Sequence, residues 1–330
     1  MLNDEPIRVA VLRGGVGHEY NVSLETGSYV LSKIPRHLYK AVDILIDRDG
    51  VWHMNGVSIN PEDLSKYADL VFNCLHGSDG EDGRIQKFLE RLGIPFVGSD
   101  SLASAMTGKK NITKERLEAI GYKTPKYALI QGLADYESEE TRHDFMRKKA
   151  MEVFKKMHGP WIVKPVLGSA STHTYIVTTF AELISILNHL SDTFDEILVE
   201  EYMEGREVVA AVLREYRNEE HYVFPPKEVI KPGKVLDESI RRQGLHKVYV
   251  VGRSADSLSR EIEDMTRKIH KEFNLSDFSL IEYIVSPKGI YVIEIDSVPI
   301  LAHGEIIHDL LENIGLSGED FVKHLIQMNI

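Results

Sequence analysis

A glycine-rich, acidic loop after residue 75 has the residue types of a ligand-binding site. Residues 70–75 are apolar and predict a buried strand, acids alternate with glycines between His76 and Gly83, and a helical pattern begins there. A strand, a glycine-rich loop and a helix start together bring backbone N–H groups to the carboxyl edge of a sheet, where small ligands bind. A tight solvated turn would explain the glycines alone, but not His76 and the acids at this density. We therefore predict a functional loop here.

A lysine at the end of an apolar segment is a candidate phosphate ligand. Lys164 lies directly before Pro165 and a turn of small residues at 168–172. A lysine beside such a turn can pair with a phosphate as a point charge, while loop N–H groups bind the phosphate oxygens. An exposed lysine at a strand end is the alternative, and this segment alone leaves both interpretations open.

An acidic segment follows the apolar residues 197–199 and is a candidate adenine site. Its backbone can pair with an adenine edge, and Met203 can lie on the ring. Glu207 lies seven residues after Glu200 and can accept ribose hydroxyls. By itself this segment fits an acidic surface strand equally well.

Three carboxylates near the end of the chain predict a cation site. Glu282 lies on one strand of a predicted hairpin, and Glu294 and Asp296 lie on the other, two residues apart and so on one face. Carboxylates at this density repel one another unless they are solvated or bind a cation. Oxygen ligands suit Mg²⁺ that bridges nucleotide phosphates, and Mn²⁺ is an alternative. Alternation with Ile293 and Ile295 favours this site over a solvated sheet face.

The order of these motifs resembles the ATP-grasp family and, within it, the D-alanine–D-alanine ligases. Residues 13–24 are similar to the first signature of these ligases, and residues 75–90 are similar to a longer and more specific second one. Residues 162–165, 198–207 and 294–296 are similar to their nucleotide and metal segments. The resemblance implies an α/β fold of three-domain ATP-grasp architecture, with a parallel doubly wound N-terminal domain and two α+β domains enclosing ATP.

The resemblance also implies roles for individual residues. Glu19 would hold the amine of the first D-alanine, and Ser169 and Arg241 would act with it in catalysis. His76 and Glu305 would contribute to the amino-acid site. The implied ATP-binding residues are Lys110, Lys164, Glu200, Glu201, Tyr202, Met203 and Glu207, and the implied metal ligands are Glu282, Glu294 and Asp296.

The implied reaction is an ATP-dependent carboxylate–amine ligation. ATP phosphorylates a carboxylate, an amine attacks the acyl phosphate, and the products are a cell-wall precursor dipeptide, ADP and phosphate. Positioning and electrostatic stabilisation of the phosphoryl group provide most of the catalysis in such transfers.

The chain departs from the family pattern on the acceptor side. Leu280 stands in place of an arginine, Ile300 in place of a glycine that supplies an oxyanion-hole N–H, and Glu305 in place of a serine that binds the substrate carboxylate. Arg241 and Arg242 are candidates to compensate. Two alternatives therefore stay open: a ligase with another amino-acid or amine acceptor, and a non-catalytic nucleotide-binding homologue. The retained acidic metal set favours ligase chemistry.

The overall composition limits the class of protein. The chain has 330 residues and a net charge of −12, which argues against nucleic acid as the main partner. The single cysteine, Cys74, excludes a disulfide framework and predicts a buried thiol. No secretory signal and no apolar run of about 20 residues is visible. We expect a cytoplasmic homodimer with small-molecule amino-acid substrates and no membrane partner.

The pattern of elements predicts the scaffold for these residues. Strands alternate with helices over the first hundred residues, which predicts a parallel doubly wound sheet. We expect an N-terminal α/β domain at 1–103, a central ATP-grasp subdomain at 104–195 that begins with one helix over residues 104–120, and a C-terminal ATP-grasp subdomain at 196–330.

Overall fold

A mixed sheet organises the N-terminal part of the chain. The computed structural model describes residues 6–132, 139–169, 172–233, 247–251 and 257–330. The sheet has the order β4-β3-β2-β1-β5-β6 and carries helices α1 (Tyr20–Lys33) and α2 (Arg84–Leu92). Its strands are β1 (Ile7–Gly14), β2 (Tyr39–Ile46), β3 (Trp52–Met54), β4 (Val57–Ile59), β5 (Leu70–Asn73) and β6 (Phe96–Val97).

The predicted parallel arrangement is confirmed for four strands of this sheet. Strand β1 pairs parallel with β2 and β5, and β5 pairs parallel with β6. Strands β3 and β4 form an antiparallel hairpin that the sequence analysis missed. Asn55 and Gly56 both have positive φ at its turn, and an Asn-Gly pair is a hairpin signal because it adopts this conformation easily.

An antiparallel sheet of order β7-β10-β8-β9 forms the second unit. Strand β10 (Glu196–Glu201) pairs with both β7 and β8, although the sequence analysis assigns it to the third domain. The other elements are α3 (Ser101–Gly108), α4 (Lys110–Ala119), β7 (Tyr127–Gln131), α5 (Glu139–Lys156), β8 (Trp161–Pro165), β9 (Tyr175–Val177) and α6 (Phe180–Ser191).

The single helix predicted over residues 104–120 is wrong, since α3 and α4 are separate. Lys109 has extended backbone angles between them. A Cβ atom on Gly108 would lie 2.3 Å from the backbone oxygen of Glu81, so only glycine fits this contact. The break brings the start of α4, with Lys110, next to the loop that contains Glu81.

The third sheet is antiparallel and has the order β14-β13-β11-β15-β16, with β12 paired to β11. The predicted hairpin of β15 and β16 is confirmed. Strand β13 was not predicted. The elements are β11 (Arg206–Tyr216), β12 (Glu219–Val223), β13 (Lys227–Ile230), β14 (Lys247–Val250), α7 (Ser257–Glu272), β15 (Phe278–Ser286), β16 (Gly289–Asp296), α8 (Ile306–Asn313) and α9 (Gly318–Gln327).

Apolar packing joins the first and third sheets. Val9 and Phe72 of the first sheet belong to one buried cluster with Phe278 of the third sheet and Phe321 of α9. Cys74 is fully buried in the same cluster, as predicted. Across the described ranges, every helix is too short or too polar to cross a bilayer.

A buried histidine on helix α7 is expected to lower the stability of the folded protein in acid. His270 is fully buried, and its Nδ1 lies 2.8 Å from Ser279 Oγ. Burial and nearby positive groups lower the pKa of His270 from 6.5 to about 3. The unfolded chain therefore takes up a proton below pH 6.5 that the folded chain does not, and stability falls between pH 6.5 and pH 3. At pH 5 we expect this group to reduce the free energy of unfolding by about 2 kcal/mol.

Urea unfolding at pH 7 and pH 5 tests this expectation. Between pH 7 and pH 5, the free energy of unfolding of the His270→Gln variant should fall by about 2 kcal/mol less than that of the wild type. His37→Gln, at an exposed position, is the matched control and should follow the wild type. Equal losses in wild type and H270Q would contradict the assignment.

Candidate active site

A cleft of about 1030 Å³ lies between the second and third sheets. Apolar side chains from both sheets, including Ile162 and Val208, form part of its wall. Every residue predicted to bind ATP lines it, namely Lys110, Lys164, Glu200, Glu201, Tyr202, Met203 and Glu207. The structure therefore brings together segments that are up to about a hundred residues apart in the sequence. An apolar wall with a few convergent charged groups is typical of a small-molecule site.

Two buried lysines meet around Glu294. Lys110 Nζ lies 3.1 Å from Glu294 Oε1 and donates to the backbone oxygen of Gly168 at 2.5 Å. Lys164 Nζ lies 4.0 Å from Glu294 Oε2. Burial alone would lower the pKa of Lys164, but Glu200 and Glu294 outweigh it and raise that pKa. The floor of the cleft thus carries ammonium groups of the kind that pair with phosphates.

The Glu200 carboxylate is held by two lysines. Its Oε1 lies 2.8 Å from Lys114 Nζ and its Oε2 lies 3.1 Å from Lys164 Nζ. Although burial would raise the pKa of Glu200, the two ammonium groups lower it to about 2. Glu200 was predicted from the sequence to line the adenine site, and Lys114 was not predicted. In the structure the carboxylate fixes the lysines under the cleft.

A second lysine that the sequence analysis missed lies on the opposite side of the cleft. Lys231 lines the cleft and donates to both carboxylate oxygens of Glu207. Lys231 follows strand β13 and precedes Pro232, and Lys164 likewise precedes Pro165, the last residue of strand β8. This repeated strand-Lys-Pro pattern is the signal that could have identified Lys231.

The three predicted metal ligands share one face of the β15–β16 hairpin. Glu282 lies directly opposite Glu294, and Asp296 lies opposite Leu280. Within the described ranges, no three His, Cys, Asp or Glu side chains form a group that could hold a metal by themselves. Mg²⁺ at nucleotide sites is commonly held by one or two carboxylates together with substrate phosphates, so the donor set fits that ion.

Carboxyl groups crowd the inner end of this hairpin. Burial and the neighbouring Glu81 raise the pKa of Asp296 to about 8. Burial likewise raises the pKa of Glu81 to about 8. Glu81 Oε1 accepts a hydrogen bond from the Gly77 backbone N–H at 2.9 Å. A bound cation would supply positive charge to these two half-buried acids.

A second cleft of about 780 Å³ adjoins the first. The two share Lys110, Ser169, Glu282 and Glu294 in their linings. The second cleft is also lined by Glu81, Asp296, Leu280, Ile300 and Glu305. Leu280, Ile300 and Glu305, which depart from the family pattern on the acceptor side, therefore line the same cleft.

Glu19, Ser169 and His76 converge beside these clefts. Glu19 is buried, and its Oε1 accepts hydrogen bonds from Ser169 N at 3.4 Å and from Thr172 Oγ1 at 3.3 Å. A Cβ atom on Gly77 would lie 2.3 Å from Glu19 Oε2, and Gly77 has a φ of +60°. Glycine is therefore required at residue 77 of the acidic loop.

His76 and Ser169 add two polar groups to this region. His76 is fully buried, with Nε2 at 2.9 Å from Thr26 Oγ1 and Nδ1 at 3.4 Å from Glu81 Oε1. Burial lowers the pKa of His76, although Asp296 and other carboxylates oppose this effect. The Ser169 hydroxyl is buried and has no hydrogen-bond partner in the described part of the chain. The predicted catalytic residue Arg241 lies outside the described residues.

The chain is similar to one family over most of its length. The sequence model described as D-ala D-ala ligase C-terminus matches residues 117–327, and that of the D-ala D-ala ligase N-terminus matches residues 53–99. The D-alanine–D-alanine ligase of Desulforudis audaxviator is 30% identical over 97% of this chain and 98% of its own length. That of Aquifex aeolicus is 29% identical over 89% of this chain and 90% of its own length.

Solved structures have the same fold. The VanG D-Ala:D-Ser ligase of Enterococcus faecalis superposes with a TM-score of 0.78 at 24% identity, covering 99% of this chain and 100% of that one. The D-alanine–D-alanine ligase of Bacillus anthracis complexed with ATP gives a TM-score of 0.76 at 23% identity, covering 99% of this chain and 97% of that one. From the matched sequence models, the relatives and the shared architecture, we conclude that this chain belongs to the D-alanine–D-alanine ligase family of ATP-grasp ligases.

Proposed function

We propose that this protein is an ATP-dependent carboxylate–amine ligase that forms D-alanyl-D-alanine through an acyl phosphate. One observation carries the proposal: a cleft floored by Lys110 and Lys164 adjoins a second cleft, and Glu282 and Glu294 line both. A nucleotide in the first cleft would have its phosphates next to a substrate in the second. Family membership supports the same reaction.

The first step needs a carboxylate and the γ-phosphate side by side. A D-alanine carboxylate oxygen attacks the γ-phosphorus, and the bond from that phosphorus to the leaving ADP oxygen breaks. Lys110 and Lys164 neutralise phosphate charge at this point. Glu282, Glu294 and Asp296 would hold magnesium, which supplies charge neutralisation and phosphate orientation when bound.

The second step forms the peptide bond. The amine of the acceptor attacks the acyl carbon, phosphate leaves, and the amine loses a proton. We propose that Glu19 binds the ammonium group of the donor, because its buried carboxylate lies beside the Gly168–Ser169 turn. Ser169 contributes a backbone N–H and a buried hydroxyl at the border of the two clefts.

The lining of the second cleft favours a second candidate, a ligase of this type with another acceptor. Carboxyl groups of Glu81, Asp296 and Glu305 are present, and Lys110 is the one basic side chain among its described lining residues. An acceptor amine without a carboxylate would avoid repulsion there. Screening ADP release against a panel of amino acids and amines, with D-alanine as donor, separates the two candidates.

The remaining properties follow from the same proposal. Its substrates are ATP and small amino acids, and its ligation takes place in the cytoplasm. We propose a homodimer, and light scattering of the purified protein measures this directly. A mass of one chain at micromolar concentration would contradict it.

Thermal unfolding with Mg-ATP tests the nucleotide cleft. A ligand at 100 times its Kd stabilises the native state by about 2.7 kcal/mol, so Mg-ATP should raise the Tm by several degrees. Lys164→Ala should remove most of this shift, because Lys164 lies on the cleft floor. Lys149→Ala removes a lysine paired with Glu152 on helix α5 and should keep the full shift. No Tm change in the wild type at millimolar Mg-ATP would contradict the proposed function.

A further inference from the structure

A buried lysine that does not line either cleft belongs to the charge cluster beneath the nucleotide site. Lys114 lies on helix α4, one turn after Lys110, and is 1% exposed. Its Nζ donates to Thr124 Oγ1 at 2.8 Å and lies 2.8 Å from Glu200 Oε1. Burial lowers the pKa of Lys114 while Glu200 opposes that effect. The negative charge of the Glu200 carboxylate favours the protonated form of this lysine.

The described cluster is an unbroken chain of alternating charges. From one end to the other it runs through Lys114, Glu200, Lys164, Glu294 and Lys110, with separations of 2.8, 3.1, 4.0 and 3.1 Å. Three ammonium groups and two carboxylates give it a net charge of one positive unit. Because the three lysines and Glu200 are buried, this charge is screened less than a surface charge and acts on whatever lies in the cleft.

Lys114 determines how far Glu200 neutralises the positive charge that Lys164 presents to a ligand. Glu200 divides its two oxygens between the two lysines. Without Lys114, Glu200 would be shared with Lys164 alone, and the net charge of the cluster would fall to zero. An anionic ligand above Lys164 would then meet a neutral ion pair instead of a positive floor.

We infer that Lys114 is a positioning residue for the nucleotide phosphates: it acts through Glu200 to keep Lys164 electropositive toward the cleft. The inference rests on the proposed function, since it requires that ATP phosphates bind beside Lys164. It goes further because Lys114 lines neither cleft and belongs to no predicted site. Because the role is electrostatic, the loss of affinity on removal of Lys114 should increase with the number of phosphates in the ligand.

Binding of Mg-ATP and of adenosine to the purified full-length protein tests this role. For Lys114→Met, we expect the Kd of Mg-ATP to rise at least tenfold and the Kd of adenosine to change less than twofold. The double variant K114M/E200Q restores a net charge of one positive unit, so the preference for ATP over adenosine should return to within about threefold of the wild type. Calorimetry or competition titration measures both ligands.

Two further variants make the test secure. Arg116→Met removes a paired cation from the exposed side of the same helix, where it contacts Glu272, and should leave both Kd values within twofold of the wild type. If K114M does not fold, K114Q carries the same test, because it removes the charge and keeps a polar group in the buried site.

The outcomes separate this inference from the proposed function. Failure of the wild-type protein to bind Mg-ATP would contradict the proposed function before any variant is compared. With wild-type binding established, a parallel loss of ATP and adenosine in K114M would show a merely structural role and overturn the inference. An unrestored ATP preference in the double variant would also overturn it.

Discussion

Glu294→Gln is expected to lower the rate of ATP-dependent ligation on the order of 100- to 1000-fold while nucleotide binding is retained. Glu294 lies between the ammonium groups of Lys110 and Lys164 and directly opposite Glu282. Glutamine has the same shape but lacks the negative charge. It would weaken the proposed cation site, and it would also leave both lysines less neutralised toward the phosphates.

These two effects have opposite consequences for binding and turnover. The Kd of ATP measured without added metal should fall or stay constant in E294Q, whereas the kcat for ADP release should collapse. Glu219→Gln, at the exposed start of strand β12 in the same sheet, is the control and should behave as the wild type. Normal turnover in E294Q would show that Glu294 has no part in phosphoryl transfer.

Glu305→Ser is expected to lower the KM for D-alanine as acceptor by about tenfold or more. Glu305 is the residue before helix α8 and lines the second cleft. Two like charges in contact repel by about 1 kcal/mol in water and more in a partly buried cleft, and about 1.4 kcal/mol corresponds to a factor of ten. The N-terminus of a helix otherwise attracts carboxylates, and a serine there would add a hydroxyl donor.

Initial rates of dipeptide formation over a range of D-alanine concentrations measure this KM. Glu312→Ser, at the other end of the same helix, should leave it unchanged. Adding Leu280→Arg to E305S should increase the rate further, since Leu280 lines the same cleft and an arginine there would stabilise negative charge. An unchanged KM in E305S would contradict this prediction. It would mean that the carboxylate of the acceptor binds away from Glu305, at another part of the site that is uncharged or cationic.

The local signals in the sequence determined most of the scaffold. Apolar runs of four to eight residues predicted strands such as β1, β5 and β8 because burial on a sheet requires them. The helix of residues 84–92 followed from its amphipathic pattern. The Asn55-Gly56 pair is an equally clear local signal for the hairpin of β3 and β4, which was not predicted.

The sequence also determined which residues gather at the nucleotide cleft. Lys164, Met203 and Glu207 were identified from residue type and position, Lys110 was implied by the family resemblance, and all four line one cleft. Residues of this kind can be identified from short segments of sequence, because strand ends and glycine turns are where a sheet exposes its functional groups.

Only the tertiary structure decided how the charges at this site are paired. No local pattern indicates that Lys114 shares Glu200 with Lys164, since the three side chains come from a helix and two different strands. The helix break at Lys109 likewise depends on a backbone contact between Gly108 and Glu81. Pairings of buried groups depend on distances between elements that are remote in the chain. The sequence therefore determined the charged groups of this protein, and the packing of its sheets determined which of them neutralise one another and which face the ligand.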